Sequence, residues 1–203
     1  SNGTVLSSDG TDVSWGTVSG GPTHKTFGTG SIMVGDSTTG TINAANNNTG
    51  LGVDVFEDLT SGDENTAIGG SAMKEMTTGS YNTAVGYVAL KNHTDGDRNV
   101  AIGREASRDQ TSGSNNTAIG TEALKLNVQG FENVAVGSYC LNNNTGSNNT
   151  AVGTEAMKLN TSGTQNAAFG KAALITCTSG NYNTALGAYT LKLLTTAERN
   201  TAV

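Results

Sequence analysis

The sequence predicts an all-β fold, a repetitive β-solenoid or β-roll of about ten 17-residue coils. Three observations predict it. A 17-residue unit recurs along most of the 203-residue chain, glycine occurs 28 times but proline only once, and hydrophobic residues make up only 34% of the sequence. Such a chain cannot build one thick core. Seventeen residues are too few for a helix pair but suit one coil of a β-solenoid, stacked about 4.8 Å along the axis.

An asparagine column marks the register of the repeat. Its spacing is 17 throughout, apart from one step of 16 between Asn133 and Asn149. One unit before Asn48, the segment SIMVG at Ser31 is a degenerate copy of NTAIG, so the array is expected to span residues 31–203. Asparagine tolerates left-handed turns, and stacked amides bond to the coils above and below. A structural ladder is therefore predicted for Asn65, Asn82, Asn99, Asn116, Asn133, Asn149, Asn166 and Asn183.

The NTAIG segment is predicted to be a short strand, with Thr66 and Ile68 on one face and Ala67 on the other. The large apolar residue of this segment is expected to form the core together with a second column that runs from Met73 to Leu191. The predicted core residues of the strand are Ile68, Val85, Ile102, Ile119, Val136, Val152, Phe169 and Leu186. Two glycine columns are expected at the corners, where positive φ or close approach between coils is needed.

The second segment of the unit is open to two interpretations. In TEALKLN, good helix formers follow a threonine that could cap a helical turn. The alternation of Leu124, Leu126 and Val128 favours instead a strand or an irregular extended segment, which we prefer. The 16-residue unit lacks one residue between Leu141 and Gly146, which indicates a peripheral loop. His93 falls in this loop and is expected to be solvated.

Each coil offers only about three apolar side chains, which is little to offset the backbone entropy of its ordered residues. Association of several chains would let the apolar columns meet on a common axis. We therefore expect a homotrimer, either intertwined or side by side.

Residues 1–30 do not follow the repeat and are predicted to form an N-terminal connector or cap resembling a β-hairpin. In TVLSSDGTDVSWG, two strands flank a turn at Asp9–Gly10, with apolar contributions from Val5, Val13 and Trp15. Trp15 is expected to anchor the packing of this cap.

The units NTAVGYVALKNHTDGDRN and NTAIGTEALKLNVQGFE resemble repeats of the tail-fibre and receptor-binding proteins of tailed bacteriophages. They are also similar to the shorter head repeats of trimeric autotransporter adhesins, which carry an NxxAIG-like strand motif. The opening GTVLSSDGTDVSWG resembles a linker that often precedes such regions in phage fibres. The resemblance covers about residues 3–203 and implies a trimeric β-roll that serves as a shaft or head, left-handed in the adhesins.

No catalytic constellation is apparent, and we expect a non-enzymatic protein without cofactor or metal. His24 and His93 have no ligand partner at metal-binding spacing, and Cys140 and Cys177 are expected to be unpaired packing residues. The net charge of −6 argues against a nucleic-acid partner. No run of 18 apolar residues exists, which argues against membrane insertion. Variable side chains on a regular scaffold suit recognition, so the candidate surface-binding residues are Tyr81, Phe131 and Tyr182, which could stack on sugars.

These expectations favour a structural segment of a tail fibre in the virion, which projects or forms a surface for a host glycan or protein receptor. The alternative is the head of a trimeric adhesin on a bacterial cell surface. A lower-ranked alternative is an ice-binding solenoid, suggested by a threonine column that includes Thr66, Thr83 and Thr117 and is interrupted at Val100.

Overall fold

The computed structural model describes residues 45–203 in full and, of residues 1–44, only four short strands. Those four are β1 Ser7–Ser8, β2 Val13–Ser14, β3 Thr23–Lys25 and β4 Ile32–Gly35. The repeat then contributes β5 Thr49–Gly52, β6 Thr66–Ile68, β7 Thr83–Val85, β8 Val100–Ile102, β9 Thr117–Ile119, β10 Val134–Val136, β11 Thr150–Val152, β12 Ala167–Phe169, β13 Thr184–Leu186 and β14 Thr201–Ala202. Residues 45–203 contain no helix, so the chain is all-β where it is described in full.

The strands of the repeat form one parallel sheet in chain order, which is the arrangement of a β-solenoid. Each strand pairs with the strand one unit later, as in Thr66↔Thr83 and Val134↔Thr150, and the second pair spans the 16-residue unit without loss of register. β4 pairs in parallel with β5, as expected if the repeat begins near residue 31. The ten strands β5–β14 extend the sheet over about 45 Å at the usual strand spacing.

The N-terminal strands pair differently. β1 and β2 are antiparallel, with Ser8 opposite Val13. β3 pairs antiparallel with β4 at the end of the solenoid sheet. The predicted packing of Trp15 and Val5 lies outside the described residues.

The second segment of the unit is neither a strand nor a helical turn, so the preference for a strand was wrong. After each strand the chain makes consecutive turns, and two non-glycine residues adopt left-handed φ, as at Ser71 (55°) and Met73 (49°). The N–H of Ser71 donates to Val53 O in the preceding coil at 2.8 Å. The N–H of Met73 donates to Ala89 O in the following coil at 3.0 Å. Hydrogen bonds to both neighbouring coils therefore hold a backbone that intrinsic propensity disfavours.

The two glycine columns lie at corners where coils approach closely. Gly69 has φ of 127°, a conformation that is essentially restricted to glycine, and a Cβ there would lie 2.5 Å from Gly86 O. Gly79, in the second column, has no positive φ, but its Cβ would lie 2.5 Å from Gly96 O. The corners thus require glycine because adjacent coils touch through their backbones.

The core of the coil contains the alanine of each strand together with the Met73–Leu191 column. Ala67, Ala118 and Leu124 are fully buried. The large strand residues, which were predicted to share the core, do not lie inside the single coil. These residues lie on the outer face of the sheet: Ile68, Val85, Ile102, Ile119, Val136, Val152, Phe169 and Leu186. In most coils a buried leucine or methionine fills the thin interior, so the strand residue opposite it has room only for a methyl group.

Candidate functional site

The outer side of the parallel sheet is a regular surface of the solenoid. We call the outward side chains of β5–β13 the strand face. Its residues are Thr, Val or Ala at the first outward position and Leu, Ile, Val or Phe at the next. It carries no charged residue over nine strands. Its leucine, isoleucine and phenylalanine side chains are exposed, from 37% at Ile119 to 50% at Leu186, and its valines are half-buried. A continuous apolar strip of this kind marks an interaction surface.

On one strand of the strand face, a large side chain lies beside a small one. Phe169 is the largest residue at its position, and it shares a strand with Ala167, the smallest at the preceding outward position. Both side chains project from the same face of the sheet because they are two residues apart. The small side chain of Ala167 partly offsets the bulk of Phe169 on this strand, which suits packing against a flat partner.

The asparagine column forms a ladder inside the coil. Asn116 is buried, and its Nδ2 donates to Gly130 O at 2.8 Å. Its Oδ1 accepts from the backbone N–H of Asn133 at 3.0 Å and from Asn133 Nδ2 at 3.1 Å. The backbone contact recurs at every step from Asn48 to Asn200, at 2.9–3.0 Å.

The left-handed turn expected at this column lies one residue earlier. Positive φ is adopted not by the asparagine but by the residue before it, for example Glu64 (58°) and Asn115 (59°). The asparagine is therefore selected by its buried hydrogen bonds and not by tolerance of left-handed geometry.

A second polar column lies inside the coil, and the sequence analysis missed it. It contains one residue per coil, just before the second glycine corner: His93, Gln110, Asn127, Asn144 and Asn160, all fully buried. The same position is apolar elsewhere, as at Leu59, Met76 and Cys177. The absence of any charged residue in this column is the sequence signal that could have revealed it. The predicted peripheral loop thus contributes an inward-pointing residue from every coil, including the shortened one.

His93 was predicted to be solvated, but its side chain is fully buried. Its Nε2 lies 2.8 Å from Gly96 O, which places the imidazole proton on Nε2, while Nδ1 has no hydrogen-bond partner. Desolvation lowers the pKa of His93, although Gly96 O and the nearby Asp95 and Asp97 oppose the shift. The imidazole is therefore neutral in the folded chain at neutral pH.

The candidate surface-binding aromatics lie on separate coils and do not form one site. Tyr81, Phe131 and Tyr182 are each 49% exposed. Arg98 covers the Tyr81 ring at 5.2 Å and Arg199 covers the Tyr182 ring at 5.3 Å, so one face of each ring is occupied.

Phe131 does not occupy the same repeat position as the two tyrosines. The register equivalent is Glu132, whose φ of 56° matches that of Tyr81. Phe131 instead occupies the position of Ser114 and Ser147, whose hydroxyls accept backbone N–H bonds from the preceding coil. A phenylalanine side chain cannot accept this bond, so Phe131 interrupts the column of side-chain acceptors that includes Ser114 and Ser147.

Beyond each strand and its glycine corner lies the turn side of the coil, which carries an ion-pair network on two consecutive coils. Glu105 bonds to Lys125 Nζ at 2.7 Å and to Arg108 Nη1 at 2.9 Å, and Lys125 lowers the pKa of the Glu105 carboxyl. Arg108 also forms a two-point contact with Asp109, at 2.8 and 2.7 Å, which raises the pKa of the guanidinium. The network fixes several polar side chains in place.

The part of the chain that the structure describes offers no metal-binding cluster of His, Cys, Asp and Glu residues. Within the same part, no helix is long and apolar enough to cross a membrane. Cys140 and Cys177 are buried free thiols, and desolvation raises the pKa of Cys140 to about 12.

The repeat, the asparagine ladder and the strand face are the main structural features of this chain. In comparisons with protein-family models, with curated proteins and with solved structures, the chain matched none of them.

Proposed function

We propose that this chain is a structural fibre segment that associates as a side-by-side homotrimer and projects or forms a host-receptor-binding surface. The observation that carries the proposal is the strand face, an uncharged apolar strip along the whole fully described array. Three such strips facing a common axis would bury the aliphatic residues that the single coil leaves exposed. In this arrangement the large strand residues, from Ile68 to Leu186, form a core shared between chains.

The repeat supports a mechanical role for the proposed trimer. Each coil bonds to the next through the strand pairing and the buried asparagine ladder, so the rod is continuous and stiff along its axis. Its length is set by the number of coils and not by one large core. Receptor contacts repeated on three chains would add by avidity. No catalytic step is part of this proposal.

The resemblance of the repeat units to phage fibre repeats favours location in the virion, in the tail fibre. The bacterial surface adhesin is the second candidate, because the same rod would serve a cell-surface head. Labelling of intact phage particles and of host cells with an antibody against this segment separates the two. Label on the particle tail supports the fibre, whereas label on the cell envelope of uninfected bacteria supports the adhesin.

The trimer is tested with one charged residue at two equally exposed positions. Ile119 on the strand face is 37% exposed, and Leu126 on the turn side is 38% exposed. We expect Ile119→Asp to shift the protein from trimer to monomer, because three carboxylates would meet at a dry interface. Leu126→Asp should remain trimeric. Light scattering and sedimentation equilibrium measure the outcome, and a wild-type monomer would contradict the proposal.

An ice-binding solenoid is retained as a lower-ranked candidate, because Thr66, Thr83 and Thr117 project outward on the strand face beside the aliphatic residues. Ice binding and trimer formation would use the same surface. A monomer that shows thermal hysteresis would favour ice binding over the fibre.

A further inference from the structure

We propose that a groove on the turn side, between the coils of β7 and β8, binds an uncharged saccharide. The proposal deepens the receptor-binding role and rests on it, because it names a class of receptor for the fibre. It differs from the sites expected at Tyr81, Phe131 and Tyr182, none of which lines this groove.

The groove has a volume of about 430 Å³, and residues of two consecutive coils line it. They include Tyr87, Lys91 and Asn92 from one coil and Glu105, Arg108 and Asp109 from the next. The volume falls within the range of about 300–1,000 Å³ that is common for small-molecule sites. The groove lies beyond the Gly86 corner and off the strand face, so trimer formation through the strand face leaves it open.

Tyr87 supplies an aromatic wall for the groove. It is 62% exposed, and none of the cations in residues 45–203 covers its ring, in contrast to Tyr81, Tyr139, Tyr182 and Tyr189. The ring edge lies close to Gly70 of the preceding coil, where an added Cβ would be 3.4 Å from Tyr87 Cδ2. A free aromatic surface suits the apolar C–H face of a sugar ring.

The polar residues of the groove select an uncharged ligand. Lys91 and Arg108 supply two positive charges, and Glu105 and Asp109 supply two negative ones, so the lining has no net charge. Three of the five N–H groups of Arg108 bond to Glu105 and Asp109, which leaves two for a ligand. The carboxylates are likewise held by cations before any ligand arrives. Such preorganised donors and acceptors suit hydroxyl groups and favour neither an anion nor a cation.

The test measures binding of the purified wild-type protein to labelled neutral oligosaccharides of glucose, galactose and N-acetylglucosamine. Acidic oligosaccharides that contain sialic or glucuronic acid are titrated in parallel. We expect a neutral oligosaccharide to bind, and Tyr87→Ala to weaken this binding about tenfold through loss of ring stacking. Asp109→Asn should also weaken it, because the variant loses the charge that fixes Arg108.

Tyr189→Ala is the matched control, because Tyr189 is also an exposed tyrosine but lies outside the groove. Its affinity should equal that of the wild type. Each variant is checked by its thermal midpoint and by light scattering, so a folding defect is recognised. The proposal is overturned if no neutral saccharide binds, if acidic saccharides bind better, or if Tyr87→Ala binds as well as the wild type. Light scattering on the same samples reports the trimer independently, so the fibre proposal can stand when the saccharide site fails.

Discussion

At the scale of single residues, His93 shows how position in a repeat overrides residue type. An isolated histidine in a polar loop is usually solvated, and the sequence analysis expected that here. The structure buries His93 at the position that Gln110 and Asn127 occupy in the next two coils. All three side chains bond to the carbonyl oxygen of the glycine three residues later, at 2.8–3.0 Å. His93 therefore forms the same buried hydrogen bond as the amide side chains of Gln110 and Asn127 in the next two coils.

The burial of His93 predicts a dependence of stability on pH. The pKa of His93 is lowered in the fold from its ordinary value of 6.5, so the unfolded chain binds the proton more readily. Its contribution to stability is complete above about pH 6.5 and is lost as the pH falls below that value. We expect the thermal midpoint to fall from pH 7 to pH 5, and to fall less in His93→Gln.

Circular dichroism melts of the wild type and of His93→Gln at pH 7, 6 and 5 check this prediction. His24 is common to both proteins and cancels in the comparison. Glu105 and Glu155 have pKa values below their ordinary 4.5, so they respond at more acidic pH. If the thermal midpoint falls equally with pH in the two proteins, His93 is not the group that titrates.

At the scale of the element, the asparagine ladder joins each coil to the next. Asn116 satisfies two buried backbone groups, the carbonyl of Gly130 and the N–H of Asn133. No other side chain of similar size offers a donor and an acceptor in this arrangement without charge. Strand pairing alone covers only three residues of each coil, so the ladder extends the inter-coil contact around the corner.

Removal of one amide from the ladder should lower the free energy of unfolding. In Asn116→Ala, the buried N–H of Asn133 loses its partner, whereas Gly130 O keeps the bond from Asn127 Nδ2. We therefore expect a loss of about 1–3 kcal/mol in unfolding free energy. Urea unfolding at fixed protein concentration measures it.

Asn143→Ala is the matched control for this substitution. Asn143 is half-buried, and no side-chain hydrogen bond is found for it among the described residues. Asn143→Ala should change the free energy of unfolding by no more than about 0.5 kcal/mol, as substitutions at ordinary surface positions do. Equal effects of the two substitutions would exclude a special role of the ladder.

At the scale of the whole molecule, the stability of the solenoid is a sum of contributions from single coils and from contacts between neighbours, because each coil contacts mainly the coils next to it. Removal of residues 116–132 deletes one complete coil and joins Asn115 to Asn133. This junction repeats the local sequence around Asn116, and β8 can then pair with β10 in register. We expect a folded rod that is shorter by about 4.8 Å.

Small-angle scattering and electron microscopy of the deletion variant and the wild type measure the rod length. Removal of residues 116–123 is the control, because it deletes only part of a coil and displaces every later strand from its register. This shorter deletion should aggregate or unfold. An unfolded 17-residue deletion would contradict additivity and indicate that this coil has a special role.

The repeat made much of the fold predictable. The 17-residue period, the strand in each unit, the glycine corners and the parallel solenoid all follow from residues that recur in register. The turn segment was not predictable, because Met73 and Leu124 adopt left-handed φ against their own preference. Hydrogen bonds from the coils above and below impose that conformation, and these contacts have no signal in a single unit.

The candidate site was predictable only in part. Two-residue alternation correctly separated Ala67 from Thr66 and Ile68, but it could not tell which face points inward. The groove at Tyr87 was missed because its lining comes from two coils, and only one of them contains the tyrosine.

The sequence by itself determined the period, the register and the position of the strands, because repetition places equivalent residues at equal intervals along a stacked chain. Only the tertiary structure decided which face of each strand is buried. The interior of one coil has room for alanine beside leucine or methionine, and it places isoleucine and valine outside. That steric limit turns the expected core into the strand face, whereas His93 lies inside at a position where its Nε2 bonds to Gly96 O.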